Sequence, residues 1–206
     1  MKDQKSLWNQ VFSKQVISSE ESSFCKEVRQ LVKAKSYILE LGCGNGQDAV
    51  ALASDGHNVT AIDFSENVIE RNIKNFKDIS NVKWKVGDIT NLNFHEGSFD
   101  VIYSHLSLHY FTDVVTRKIV SDCLRILKKG GVLCFVCKST KDPLFGRGKC
   151  VEKDMYDLDG HVRHFFTEEY CKQILGKEFD IISLKRGNAN FYESTSSYVK
   201  AIAQKN

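Results

Sequence analysis

The stretch Tyr37-Ile38-Leu39-Glu40-Leu41-Gly42-Cys43-Gly44-Asn45-Gly46-Gln47 decides the fold. Its first part, Tyr37 to Leu41, is an apolar run of strand length. A helical pattern leaves it, from about Gln47 to Ala53. Between them stand glycines at 42, 44 and 46. A strand that turns into a helix through such a bend belongs to a parallel α/β architecture. At the carboxyl ends of its strands, nucleotides and nucleosides bind. Glycine admits positive φ and lets a ligand approach the backbone without a Cβ in the way.

The spacing narrows the ligand. The dinucleotide fingerprint G-x-G-x-x-G needs a glycine where Gln47 stands. Glu40, two residues before Gly42, repels a pyrophosphate and attracts an ammonium or a sulfonium. The pattern E-x-G-x-G-x-G resembles the first motif of the class I S-adenosylmethionine-dependent methyltransferases. Further segments follow in that family's order. A strand pattern from His57 to Ile62 ends in Asp63, about 20 residues beyond the turn, where a carboxylate can accept both ribose hydroxyls. Val82, Trp84 and Val86 alternate in the next strand pattern, Asn81 to Gly87, and Asp88-Ile89 follows. Phe99 to Ser104 is a fourth strand. Leu127-Lys128-Lys129-Gly130-Gly131-Val132-Leu133 reads as a helix end, a two-glycine turn and the entry to a fifth strand, and is similar to a marker of the family. These segments cover roughly residues 36 to 138, and their joint order is more specific than any one of them.

The resemblance implies a Rossmann-like, seven-stranded, mostly parallel sheet. Helices cover both faces, and a C-terminal antiparallel hairpin spans Glu178 to Lys185 and Ser197 to Ala203. It implies S-adenosyl-L-methionine as cofactor. Glu40, Gly42, Cys43, Gly44, Asn45 and Gly46 would face the amino-acid end, Asp63 and Phe64 the ribose, Asp88 and Ile89 the adenine, and Ser104 the rim. Asp48, in the first turn of the helix, is read as structural. Residues 1–206 are read as one methyltransferase domain. Residues 1–35 form a helical cap, and 139–164, which hold the chain's single proline, form a long lid-like loop. Ser65 and Thr167 are expected to cap the helices that follow them.

The acceptor side is less marked. Ser104-His105-Leu106-Ser107-Leu108-His109-Tyr110 follows the fourth strand, where the family begins its acceptor pocket. Histidine titrates near neutrality, so His105 or His109, with Tyr110, is a candidate for taking an acceptor proton; packing is the alternative. Amino-methylating enzymes of nucleic acids usually carry an N/D-P-P-Y type sequence here, and this chain does not. His109, Tyr110, His161, Arg163 and Phe165 are candidate acceptor contacts, or else anchors of the loop. Lys138, Lys141, Arg147 and Lys149 could receive an anionic acceptor or be solvated. Trp8 and Phe12 could fold over the cofactor or dock on the core.

Composition limits the rest. Basic residues number 29 against 26 acidic, a net charge of +3, too balanced for the concentrated basic face that nucleic acid demands. No apolar run reaches membrane-span length, and MKDQKSLWNQ lacks a signal-peptide core. Seven scattered cysteines among apolar neighbours suggest reduced thiols and a cytoplasmic protein. No metal is expected. Cys134 and Cys137, three apart in a strand pattern, point to opposite faces and cannot clasp one ion. The reading is methyl transfer to a small-molecule acceptor. The alternatives are a non-catalytic module that binds S-adenosylmethionine or S-adenosylhomocysteine and, third, an NAD-dependent oxidoreductase. Nothing in the sequence fixes the acceptor or the oligomeric state.

Overall fold

The computed structural model describes Trp8, residues 20–191 and residues 194–206. Five strands run parallel: β1 (Tyr37–Leu41), β2 (Asn58–Asp63), β3 (Val82–Val86), β4 (Phe99–His105) and β5 (Leu127–Lys138). Two more, β9 (Phe179–Phe191) and β10 (Ser194–Lys205), form an antiparallel hairpin whose second strand pairs with β5. The order across the seven-stranded sheet is β3-β2-β1-β4-β5-β10-β9. The expected fold class is therefore observed. The hairpin strands are longer than the sequence pattern indicated.

Alternation along each strand divides the core into two layers. Leu39 and Leu41 face one side, where α4 (Asp113–Ile126) and α5 (Glu168–Leu175) supply Ile119, Cys123, Ile126, Cys171 and Leu175. Ile38 faces the other side, covered by α1 (Ser23–Arg29), α2 (Gln47–Ser54) and α3 (Glu66–Asn75), which bring Phe24, Val28, Leu52 and Ile69. Cys134 and Cys137 fall in opposite layers, as their spacing requires. Helix starts are fixed by side-chain caps. Ser22, Ser65, Thr112 and Thr167 each accept a hydrogen bond from the amide three residues on.

Three expectations change. The Lys128 to Gly131 segment is not a turn ahead of the fifth strand, because β5 already begins at Leu127. Gly130, with φ of 72°, kinks the strand there. Residues 149–164 are not a loop. They form a second antiparallel sheet of β6 (Lys149–Glu152), β7 (Met155–Leu158) and β8 (His161–His164). In the N-terminal segment, expected as a helical cap to residue 35, α1 already ends at Arg29, and Leu31 is 56% exposed. Leu7, Val11, Phe12 and Val16 lie outside the described residues.

Candidate active site

The sheet delivers the predicted residues to one edge. Glu40, Asp63 and Ser104 sit at the carboxyl ends of adjacent parallel strands, paired in register (Glu40 beside Ala61, Glu40 beside Tyr103). Glu40 is 3% exposed, and its Oε2 is shielded without a hydrogen-bond partner. Burial raises its pKa well above the ordinary value, and the charges of Asp48 and Asp63 push it further. A cation placed there would relieve both effects.

The glycine bend is closed on itself. The amides of Gly42 and Cys43 both donate to the Ile62 carbonyl, at 2.9 Å each. The Gly44 amide donates to Asp63 Oδ2 at 3.1 Å, and the Gly46 amide to the Cys43 carbonyl at 2.9 Å. Four amides that would cradle a phosphate in a nucleotide-binding turn are already committed. Asp63 also accepts from the Ser65 amide at 3.0 Å. Its pKa is nonetheless raised, because burial outweighs these amides and the nearby Arg71 charge.

Side chains from α3 and β3 brace the bend. Asn72 Nδ2 donates to the Gly44 carbonyl at 2.8 Å, and Arg71 donates to the side chain of Asn45. Gly46 has φ of 81°, and a Cβ built on it would lie 2.5 Å from the Trp84 ring. Its glycine is thus required by packing as much as by conformation. Ser107 fills the corresponding space beside Gly42. Sequence reasoning missed Asn72, Arg71, Trp84 and Ser107. Asn72 had a signal: it interrupts the apolar stripe of Val68 and Ile69 on α3, and a polar residue buried on such a stripe has a partner.

The remaining cofactor-side candidates divide. Cys43 is buried, and its thiol is pushed up by burial and the Glu40 charge, so it stays protonated. Phe64 is half-buried beside Asp63. Asp88 is exposed and accepts from the amide and hydroxyl of Thr90, both at 2.8 Å. Ile89 is 8% exposed and packs in the core layer with Leu41 and Ile62. Ser104 is fully buried with its hydroxyl unpartnered. Asp48 is structural, as expected: it accepts from Ser22 N (2.7 Å), Ser22 Oγ (2.8 Å) and Tyr103 OH (2.7 Å).

Past β4 the chain enters a short 3₁₀ turn, Leu108–Tyr110. His105 stacks on Phe24 and meets Phe191 edge-on, with centroids 6.5 and 5.5 Å away. His109 is fully buried, and neither ring nitrogen has a partner. Burial first, then the charges of Lys138 and Arg163, hold its pKa well below the ordinary value, so the ring is neutral at pH 7. Its neighbour Tyr110 lies 4.2 Å away between centroids. Trp8 meets Tyr110 at 4.9 Å and His161 at 5.9 Å. His109, Tyr110, Trp8 and His161 therefore form one continuous rim.

Arg163 lies on β8 on the same face as His161, two residues on. Phe165 does not join the rim as a free wall. It is 2% exposed and packs edge-on with Phe145 at 5.6 Å and near Tyr156 at 6.2 Å, so it anchors the small sheet. Lys138 is not a free base either. It is buried and pairs with Asp142 at 2.9 Å and Ser196 Oγ at 2.7 Å. Lys141, Arg147 and Lys149 are exposed. Among the described residues, no three His, Cys, Asp or Glu side chains gather as a metal site.

S-Adenosylmethionine fits this arrangement on two observations. A buried acid with an orphaned oxygen stands where an ammonium is expected, and the amides of Gly42, Cys43, Gly44 and Gly46 are committed within the protein.

Comparison with known proteins agrees. Residues 38–131 match a family described as methyltransferase domain. Phosphoethanolamine N-methyltransferase 1 of Caenorhabditis elegans is 25% identical over 167 residues, 79% of this chain and 34% of that protein. Demethylmenaquinone methyltransferase of Clavibacter sepedonicus is 30% identical over 165 residues, 80% of this chain and 58% of that protein. The chain thus spans a third to just over half of these relatives. A crystal structure of an S-adenosylmethionine-dependent methyltransferase from Methanosarcina mazei superposes with a TM-score of 0.76 at 21% identity, covering 87% of this chain and 96% of that one. Residues 38–131 thus match a methyltransferase domain, and the chain shares its fold with a solved S-adenosylmethionine-dependent methyltransferase.

Proposed function

We propose that this protein transfers a methyl group from S-adenosylmethionine to a small-molecule acceptor by in-line displacement. The observation that carries the reading is the orphaned Glu40 carboxylate beside a bend four of whose amides are already used. That combination favours a cationic nucleoside over a pyrophosphate, which sets the NAD-dependent alternative aside. The two relatives named above are, by name, methyltransferases of phosphoethanolamine and of demethylmenaquinone, both small molecules.

In this reading Glu40 holds the ammonium. The backbone from Gly42 through Cys43, Gly44 and Asn45 to Gly46 follows the amino-acid tail. Asp63, with Phe64 beside it, takes the ribose hydroxyls. Asp88 and Ile89 meet adenine, and Ser104 lies near the reacting centre. The cofactor, when bound, supplies an electrophilic methyl on sulfur. The protein's part is to hold the acceptor in line at near-contact distance. Neutral His109, with both nitrogens uncommitted, accepts the acceptor's proton where the nucleophile carries one. Tyr110 and His105 shape the approach, and His161 and Arg163 hold the far end of the acceptor.

Residues 1–206 are read as one domain to which Trp8 and the β6–β8 sheet add the acceptor side. Among the described residues no helix is long and apolar enough to cross a membrane. The six buried thiols and the exposed Cys150, all unpaired, favour the cytoplasm.

Calorimetry with S-adenosylhomocysteine, then labelled methyl transfer across a metabolite panel, tests the proposal. Saturable binding and a labelled product are expected. Binding without product from any acceptor would make the protein a non-catalytic binding module. NAD binding in preference to the nucleoside would revive the oxidoreductase.

A further inference from the structure

Arg163 is a cation with no ion pair among the described residues. It is half-buried, and its Nε is shielded from solvent with no partner. Its Nη1 reaches only the backbone carbonyl of His161, at 3.4 Å. Lys138, a buried cation whose charge also reaches His109, is by contrast neutralised by Asp142.

The groups around Arg163 share the deficit. His161 Nδ1 has no partner, and neither do the two ring nitrogens of His109. Trp8 and Tyr110 span the space from His161 to His109 and wall it with aromatic faces. Shielding a guanidinium nitrogen without an acceptor is costly. The cost disappears when an anion supplies the missing acceptor atoms. A guanidinium fork matches the two oxygens of a carboxylate or a phosphate, which a lysine does not.

We propose that Arg163 is the specificity residue for an anionic group, carboxylate or phosphate, on the methyl acceptor, with His161 Nδ1 as the second donor. This rests on the methyltransferase reading above. It adds which end of the acceptor is charged and which strand reads it. Because β8 belongs to the small sheet and not to the parallel one, charge selection sits apart from cofactor binding.

The test uses the full chain saturated with S-adenosylhomocysteine. Inorganic phosphate and acetate are titrated separately, with chloride at matched ionic strength, and the unfolding midpoint is read. A saturable rise is expected in the wild type with at least one anion. A larger response to phosphate marks a phosphate acceptor, and a larger response to acetate a carboxylate one. The rise should vanish in Arg163→Gln and persist in weakened form in Arg163→Lys. S-Adenosylhomocysteine affinity should stay within about twofold in all three proteins, since Arg163 lies off the cofactor strands. An equal rise in the wild type and Arg163→Gln overturns the proposal, and so does no rise with either anion in nucleoside-saturated wild type. Failure of wild type to bind the nucleoside at all is a distinct result, which removes the methyltransferase reading and this proposal with it.

Discussion

Around the glycine bend the chain commits its own donors. The amides of Gly42, Cys43, Gly44 and Gly46 are used by Ile62, Asp63 and Cys43, and Asn72 closes the outer side. Along the acceptor rim it does the reverse: His109, His161 and Arg163 carry shielded nitrogens with no partner. The first region is rigid before a ligand arrives, because each bond that shapes it is internal. The second carries a standing desolvation cost that a ligand can relieve. On the proposed function, preorganisation belongs to the cofactor side and unmet polarity to the side that would recognise the acceptor.

The sharpest way to break this comparison is Gly46→Ala. The substitution forces a side chain to a φ of 81° and drives a methyl to within 2.5 Å of the Trp84 ring. Left-handed strain of about 1–2 kcal/mol and overpacking of about 1–3 kcal/mol should lower stability by roughly 2–5 kcal/mol in urea unfolding. Adding Trp84→Leu should recover the packing share. A stable single variant would mean that the bend is not braced as described.

Asp63→Ala removes the acceptor of the Gly44 and Ser65 amides together with the proposed ribose contact. Nucleoside affinity should fall by about 1.5–3 kcal/mol. Calorimetry on the folded variant checks this, and unchanged affinity takes Asp63 out of the site.

On the rim the sign should reverse. His109→Leu replaces an unpartnered buried imidazole with an apolar side chain of similar size. It should stabilise the ligand-free protein by about 1 kcal/mol, since an unmet buried polar group costs about 1–3 kcal/mol. For an acceptor that carries a proton, methyl transfer should fall about 10²–10⁴-fold. A variant less stable than wild type would show that His109 already has a structural partner.

The smallest effect concerns Glu40, whose shielded oxygen behaves like the nitrogens of the rim. Its carboxyl is raised above 4.5 by burial, with Asp48 and Asp63 adding repulsion. The folded state therefore keeps this proton longer than the unfolded chain does. The stability it contributes is complete below 4.5 and is lost as pH rises through the higher native value. Glu40→Gln should thus unfold about 3 °C higher than wild type at pH 8, roughly 1 kcal/mol for a domain of this size. The gap should close toward pH 4.5, and nucleoside binding should weaken. A difference that does not change with pH contradicts a buried ionisable Glu40.

What could be read from the sequence follows the same division. The bend, Asp63 and the helix caps at Ser65 and Thr167 are local: each depends on residues a few positions apart, and spacing reveals them. The small sheet was hidden because β6 is almost wholly exposed, so Lys149-Cys150-Val151-Glu152 shows no inward face to alternate with an outward one. Phe165 looked like a pocket residue because its partners, Phe145 in the loop before β6 and Tyr156 on β7, meet it only once that unseen sheet has formed. The charged loop bases looked equivalent until Lys138 proved to be held by Asp142 and Ser196. Contacts such as Trp8 on Tyr110 join distant parts of the chain, and no periodicity encodes them.

Ser22 supplies two of the three donors that quiet Asp48, a carboxylate only 5% exposed. Trimming the chain back to α1 would strand that charge inside the protein with Tyr103 alone to answer it. Ser22 is therefore a mooring point for the parallel sheet, and its loss would be felt at β4 through Tyr103.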